Sequence, residues 1–174
     1  MDLGLAGRWV LITGASQGIG AGVAKVFAEE GCHLHLTARN RDNLEQVRTG
    51  IVAEHGVQVV LHPMDLTEPG AVERLAEAAP EIDILINNAG VIPGGNLASF
   101  DERAWRDGWE LKVFGYINLT RLVYVRMKAR GRGVIINDIG NAGERHDADY
   151  IAGTAGNASL MAFTRALGGR SLDD

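Results

Sequence analysis

The sequence predicts an α/β fold built as a doubly wound parallel sheet. Three observations carry that expectation. Short runs of aliphatic, often β-branched residues recur along the chain. Longer segments of helical periodicity lie between them. The first apolar run ends in a glycine-rich turn that opens straight into a helical pattern. Continuous short apolar runs suit strands covered on both faces, and parallel strands need crossover helices between them.

Trp9 to Thr13 is the first expected strand, followed by Leu34 to Thr37, Val57 to Leu61, Ile82 to Ile86 and Val134 to Ile136. The first helix is expected over Ile19 to Glu30, where Gly31 stops it. Leu44, Val47, Ile51 and Val52 recur at helical spacing before Gly56, and Val72, Leu75, Ala76 and Ala79 do so before Pro80. A long helical segment from about Asp101 to Ala129 carries Trp105, Trp109, Val113, Phe114, Ile117 and Leu122. The final helix runs from about Tyr150 to Leu167 and meets Gly168 and Gly169. Trp105 and Trp109 are four apart on one helix face, a spacing that suits packing against the core or a subunit neighbour.

No linker, low-complexity tract or repeat interrupts this alternation, so residues 1–174 read as one domain. Apolar residues make up 46% and charged residues 22%, as in ordinary globular domains. The net charge of −5 argues against a nucleic-acid surface. No leader pattern and no apolar stretch of roughly 20 residues is visible, so a cytoplasmic setting without membrane contact is expected. Cys32, alone of its kind, reads as an inert core thiol, and no residue spacing suggests a metal site. His33 and His35 lie along a strand and read as structural.

The most informative stretch is Thr13-Gly14-Ala15-Ser16-Gln17-Gly18-Ile19-Gly20. Glycines let a backbone turn tightly and approach a pyrophosphate, and a helix N-terminus offers that anion free N–H groups and partial positive charge. With Asn87-Asn88-Ala89-Gly90 after the fourth strand, the chain resembles the short-chain dehydrogenase/reductase family from about Leu5 onward. The resemblance implies a Rossmann-type, three-layer α/β/α sheet of order 3-2-1-4-5. It also implies that Gly14, Ser16, Gln17, Gly18, Ile19 and Gly20 hold a dinucleotide pyrophosphate. Asn88, Ala89 and Gly90 would lie beside the adenosine ribose, and Asp65, with Leu66, at the adenine.

NAD-preferring dinucleotide folds place a carboxylate at the end of the second strand for the ribose 2′-OH. Here that stretch is Leu36-Thr37-Ala38-Arg39-Asn40-Arg41, with no acid before Asp42. A guanidinium matches a 2′-phosphate in charge and shape. NADP is therefore expected, with Arg39 as clamp and Ser16 as helper; neutral Gln17 keeps NAD as the alternative.

In this family a Tyr is the general acid/base and a Lys four residues later lowers its pKa. A Ser ends the fifth strand, and an Asn lies in the preceding helix. Tyr150 is the expected tyrosine, which puts Thr154 at the lysine position. Gly140 stands at the serine and Lys112 at the asparagine, and the loop from Gly140 to Tyr150 looks a few residues short. A phenol has a pKa of about 10, and a nearby cation is what brings the phenolate within reach at neutral pH. Lys112 is the candidate for a displaced cation; the other reading pairs it with solvent or with Asp138. His146, in a charged run, and Asn141 or Asp138 are lesser candidates for polar partners.

Family members usually continue with further C-terminal strands, a substrate loop and a subunit interface, whereas this sequence stops at Asp174. The helices over Asp101–Ala129 and Tyr150–Leu167 match the family's dimer-forming pair, so a homodimer or homotetramer is expected. The leading expectation is an NADP-preferring oxidoreductase acting on a small carbonyl or secondary alcohol. The alternative is a dinucleotide-binding sensor or partner subunit without catalysis.

Overall fold

The computed structural model describes residues 3–171. Five strands, β1 (Trp9–Thr13), β2 (His33–Ala38), β3 (Val59–Pro63), β4 (Ile84–Asn87) and β5 (Val134–Asn137), form one sheet. Their order is β3-β2-β1-β4-β5, and every neighbouring pair is parallel. The helices are α1 (Gly18–Glu29), α2 (Arg41–His55), α3 (Ala71–Ala78), α4 (Glu102–Trp109), α5 (Gly115–Arg130) and α6 (Ile151–Gly168).

Alternate residues of the central strands feed two cores. Val10, Ile12, Leu34, Leu36 and Ile86 face Ala24, Ala28, Leu44 and Ile51 of α1 and α2. On the other side Leu11 and Leu85 meet Val72 and Leu75 of α3 and Leu119 and Val123 of α5. This is the three-layer, doubly wound arrangement the sequence predicts. Cys32 lies in the first core, and its thiol donates to the Leu5 carbonyl oxygen at 3.3 Å. Burial pushes that thiol up from its ordinary range, which suits the inert role expected of it.

The strands lie within two residues of their expected places, and β3 shows the largest shift. The long helical segment is in fact interrupted. Between α4 and α5, residues Glu110–Phe114 form one π-helical turn. Such a turn adds a residue and changes the phase of the helix. Trp105 and Trp109 of α4 therefore join a third core with Ile92, Val113 and Ala152, while α5 packs on the sheet. Trp109 Nε1 also donates to the Ala152 carbonyl oxygen at 2.9 Å, fastening α4 to α6.

His35 and His62 form a pair across β2 and β3. His35 Nδ1 and His62 Nε2 are 2.8 Å apart, so the pair holds one shared proton in its neutral state. Burial, together with the neighbouring His62, pushes His35 down to about 4. Burial lowers His62 as well. In the unfolded chain a histidine titrates near 6.5, so the unfolded state binds more protons once the pH falls below that value. The folded state is therefore expected to lose stability as the pH falls from about 6.5 towards 4. The loss at His35 should be about 2 kcal/mol after screening at its exposed edge. Urea unfolding at pH 7.5 and 4.5 measures the difference, and His35→Gln should flatten it. A wild-type midpoint that does not move would show that the pair is not held neutral.

Candidate functional site

The C-terminal ends of β1, β2, β3 and β4 open on a cleft of about 540 Å³. Every residue expected to hold a dinucleotide lines it: the turn residues Gly14, Ser16, Gln17, Gly18, Ile19 and Gly20, then Arg39, Asp65, Leu66, Asn88, Ala89 and Gly90. Lys112 and Asp138 line its far end.

The glycine turn fits a dianionic phosphate group by its own geometry. Gly14 and Gly18 have φ of +68° and +55°, the left-handed region that disfavours side chains. A Cβ on Gly18 would meet nothing within 4 Å, so the space above it is open. The start of α1 has no side-chain cap and no acidic residue in its first turn. By contrast, Asn40 caps α2 and Asp101 caps α4. The first amides of α1 thus face the cleft, uncapped by any side chain.

The turn is braced from β4. Buried Thr13 accepts the backbone N–H groups of Asn88 and Ala89 at its Oγ1, each at 2.9 Å. Asn88 Nδ2 returns to the carbonyl oxygens of Thr13 at 2.8 Å and Gly14 at 3.2 Å. Asn87, one residue earlier, donates to Thr120 Oγ1 at 3.0 Å and Asn137 Oδ1 at 2.8 Å. These bonds lock β1, β4, β5 and α5 together directly beneath the cleft. Sequence reasoning missed Thr13, because a threonine ending a buried strand looks like any other β-branched core residue.

At the mouth between β2 and β3, Arg39 is the exposed cation. Its side chain is 79% exposed, and its Nη1 lies 4.0 Å from Asp65 Oδ2. Asp65 is held in its own turn by the Thr67 N–H at 2.9 Å and the Thr67 hydroxyl at 2.7 Å. The Thr67 N–H is the main reason its carboxyl sits below the usual range. Arg39 can turn to an anion in the cleft at little cost, since an exposed ion pair of this kind contributes little.

The other end of the cleft corrects the expected catalytic register. Asn157, 2% exposed, accepts the Gly140 N–H at Oδ1 over 2.9 Å and donates from Nδ2 to the Gly153 carbonyl oxygen over 2.7 Å. The residue of α6 that faces the end of β5 is therefore Asn157, with Gly153 one turn before it. Thr154 turns away to the loop, where its Oγ1 accepts from Asp147 N at 3.2 Å and donates to Asp147 O at 3.3 Å. The facing pair lies three residues after Tyr150 and Thr154, and the loop that looked short in the sequence is longer by those residues.

Tyr150 itself precedes α6 and does not line the cleft. Its ring packs beside Ile92, Val113 and Ala152. The far end of the ring stands where a side chain on Gly153 would begin. The general acid/base role expected of Tyr150 thus finds no support in its placement. His146 is exposed on the loop, and Asn141 opens a short 3-10 turn away from the cleft lining.

Lys112 sits in the π turn and points into the cleft. Its stem crosses Gly90 closely: a Cβ there would come 2.6 Å from Lys112 Cδ. Nζ donates to the main-chain carbonyl oxygen of Asp138 at 3.1 Å and lies 5.5 Å from the centre of the Tyr116 ring. Tyr116 Oη donates to the same carbonyl at 3.1 Å. The ring beside the ammonium is thus that of Tyr116, not Tyr150. Burial lowers the Lys112 ammonium from its ordinary range, against the raising effect of the Asp138 carboxylate. Burial raises Tyr116, the Asp138 carboxylate adding to it, so its phenol stays protonated. Among the described residues no cluster of His, Cys, Asp and Glu could hold a metal ion. No helix among them is long and apolar enough to cross a membrane.

Comparison with known proteins agrees with the fold. A family model described as short chain dehydrogenase matches residues 8–171. A 2,3-dihydro-2,3-dihydroxybenzoate dehydrogenase of Bacillus subtilis (strain 168) is 31% identical over 169 residues, which is 95% of this chain and 64% of the relative. A fatty acyl-CoA reductase of Acinetobacter baylyi is 37% identical over 168 residues, covering 92% of this chain and 56% of the relative. The chain therefore spans roughly 56–64% of the length of these two relatives. Among solved structures, L-sorbose reductase from Gluconobacter frateurii, complexed with NADPH and L-sorbose, superposes with a TM-score of 0.93 at 31% identity, over 99% of this chain and 67% of that one.

Proposed function

The chain belongs to the short chain dehydrogenase family, and from that premise we propose that it binds NADP(H) and exchanges a hydride with a carbonyl or secondary alcohol. The observation that carries the reading is the cleft itself. An uncapped helix start over an open glycine turn, an exposed guanidinium at the end of β2, and a lysine at the far end lie along one groove. The dinucleotide would supply the two electrons of the reduction. The chain's residues would supply the rest: α1 amides for the pyrophosphate, Arg39 for the 2′-phosphate, Asp65 and Asn88 to Gly90 along the adenosine. The NADPH bound to L-sorbose reductase supports the choice of phosphate-bearing cofactor. The substrate side would take a small molecule.

Calorimetric titration tests the cofactor assignment. Arg39→Ala should weaken NADPH binding by roughly 10- to 100-fold, the scale of a lost charge-assisted hydrogen bond. NADH binding should be left within about twofold, because no 2′-phosphate is there to lose a partner. Equal loss for both dinucleotides would remove Arg39 from the phosphate.

One set of observations favours the second reading, dinucleotide binding without turnover. The positions that face the end of β5 are Gly140, Gly153 and Asn157, none of which exchanges protons near neutral pH. NADPH consumption with a panel of ketones and aldehydes separates the two readings: binding without consumption would favour a sensor or partner subunit.

A further inference from the structure

We propose that Lys112 is the catalytic acid of this site, giving its Nζ proton to the substrate oxygen as the carbonyl is reduced. This rests on the oxidoreductase reading above and assigns it a proton donor. Three observations place Lys112 there. The π turn at Glu110–Phe114 directs its side chain into the cleft that holds the phosphate-binding turn. Its ammonium, drawn out of bulk water, donates to one acceptor among the described residues, the Asp138 carbonyl oxygen at 3.1 Å. An ammonium carries three N–H donors, and the Asp138 carbonyl uses one of them. Gly90, without a side chain, lets the stem pass at close range.

The described neighbours of Lys112 are less suited to the role. Tyr116 is buried, donates to the same carbonyl and keeps its proton. Tyr150 lies outside the cleft, and Asn157, held by Gly140 and Gly153, is an amide that gives up no proton near neutral pH. The Asp138 carboxylate opposes deprotonation of Lys112 but does not cancel the effect of burial. When bound, the reduced nicotinamide dinucleotide would supply the hydride of the new C–H bond. The C–O π pair of the substrate takes the Nζ proton, an N–H bond breaks and an O–H bond forms. The neutral amine then regains a proton from water at the cleft mouth.

The chain has three lysines, Lys25, Lys112 and Lys128, which makes the test direct. Reductive methylation with ¹³C-formaldehyde gives a resonance for each, and Lys112→Met identifies the Lys112 signal. The proposal expects that signal to titrate below the ordinary lysine range near 10.4 and to shift when NADPH is added. In turnover assays Lys112→Met should keep NADPH binding within about threefold and lose roughly 100-fold or more in kcat, as positioned acids do. The wild type should lose activity on the alkaline side through the same titration, and the variant should lack that limb. Gly90→Ala, which crowds the stem without removing the amine, should lower kcat more than it raises KM.

An ordinary Lys112 titration unmoved by NADPH, or a Lys112→Met enzyme with normal turnover, would overturn the assignment while leaving the oxidoreductase reading intact. A wild type that binds NADPH but reduces no carbonyl would overturn both.

Discussion

Thr13→Val is expected to destabilise the fold by about 3 kcal/mol, although valine has the same shape as threonine. Thr13 is 2% exposed at the end of β1. Its hydroxyl is the acceptor for two backbone N–H groups, those of Asn88 and Ala89, and it donates to the Ile86 carbonyl oxygen at 3.4 Å. Removing it leaves two half-buried donors without an acceptor, and each orphaned donor costs about 1–3 kcal/mol. In a domain of this size 3 kcal/mol lowers Tm by about 6–12 °C. The consequence reaches function, because the same three residues set the spacing between the glycine turn and the Asn88–Gly90 wall of the cleft. NADPH binding should weaken in step with stability. Thr13→Ser keeps the hydroxyl and should lose under about 1 kcal/mol, the scale of a deleted methyl group. Thermal unfolding and calorimetric titration of the two variants check this. A stable Thr13→Val protein would show that the two amides find water instead.

How far the sequence could be read follows from the period of each signal. The central strands are covered on both faces, so they appear as unbroken apolar runs, and their parallel order follows from the helices between them. The glycine turn and Asn88 to Gly90 were legible because glycine at those places has a physical cause. The π turn left no mark: Trp105 to Leu122 keep an apolar rhythm whether or not one extra residue is inserted. The register of α6 was misjudged for a related reason. Three residues of α-helix rotate about 300°, so Tyr150 and Gly153 differ by only about 60° around the axis. Helical periodicity cannot separate two registers so close in phase. The shortness of the loop after Gly140 was the signal that could have done so. Lys112 was legible as a residue out of place, but its carbonyl partner and the Tyr116 ring are contacts across three elements.

Gly20→Ala is expected to weaken NADPH binding at least about 100-fold for a purely steric reason. Gly20 is in the first turn of α1, and an added Cβ would collide with the Gly14 carbonyl oxygen and stand 2.6 Å from Asn88 Nδ2. Neither neighbour can retreat easily. The Gly14 carbonyl is backbone within the turn, and Asn88 Nδ2 is pinned to the Thr13 and Gly14 carbonyls. The clash therefore moves α1 away from β1 and β4, which opens the turn and misaims the amides that face the cleft. Overpacking costs about 1–3 kcal/mol where side chains can adjust, and a backbone obstacle puts this variant at or above about 3 kcal/mol. NADPH affinity should fall by at least about 100-fold, equivalent to about 2.7 kcal/mol. Gly22→Ala supplies the control, since a Cβ there meets nothing within 4 Å on the same helix. That change should be neutral or stabilising by up to about 1 kcal/mol through helix propensity. If Gly20→Ala bound NADPH as Gly22→Ala does, the close approach of α1 to the Gly14 carbonyl would not be what shapes the phosphate site, and binding would have to be carried from the Arg39 end of the cleft.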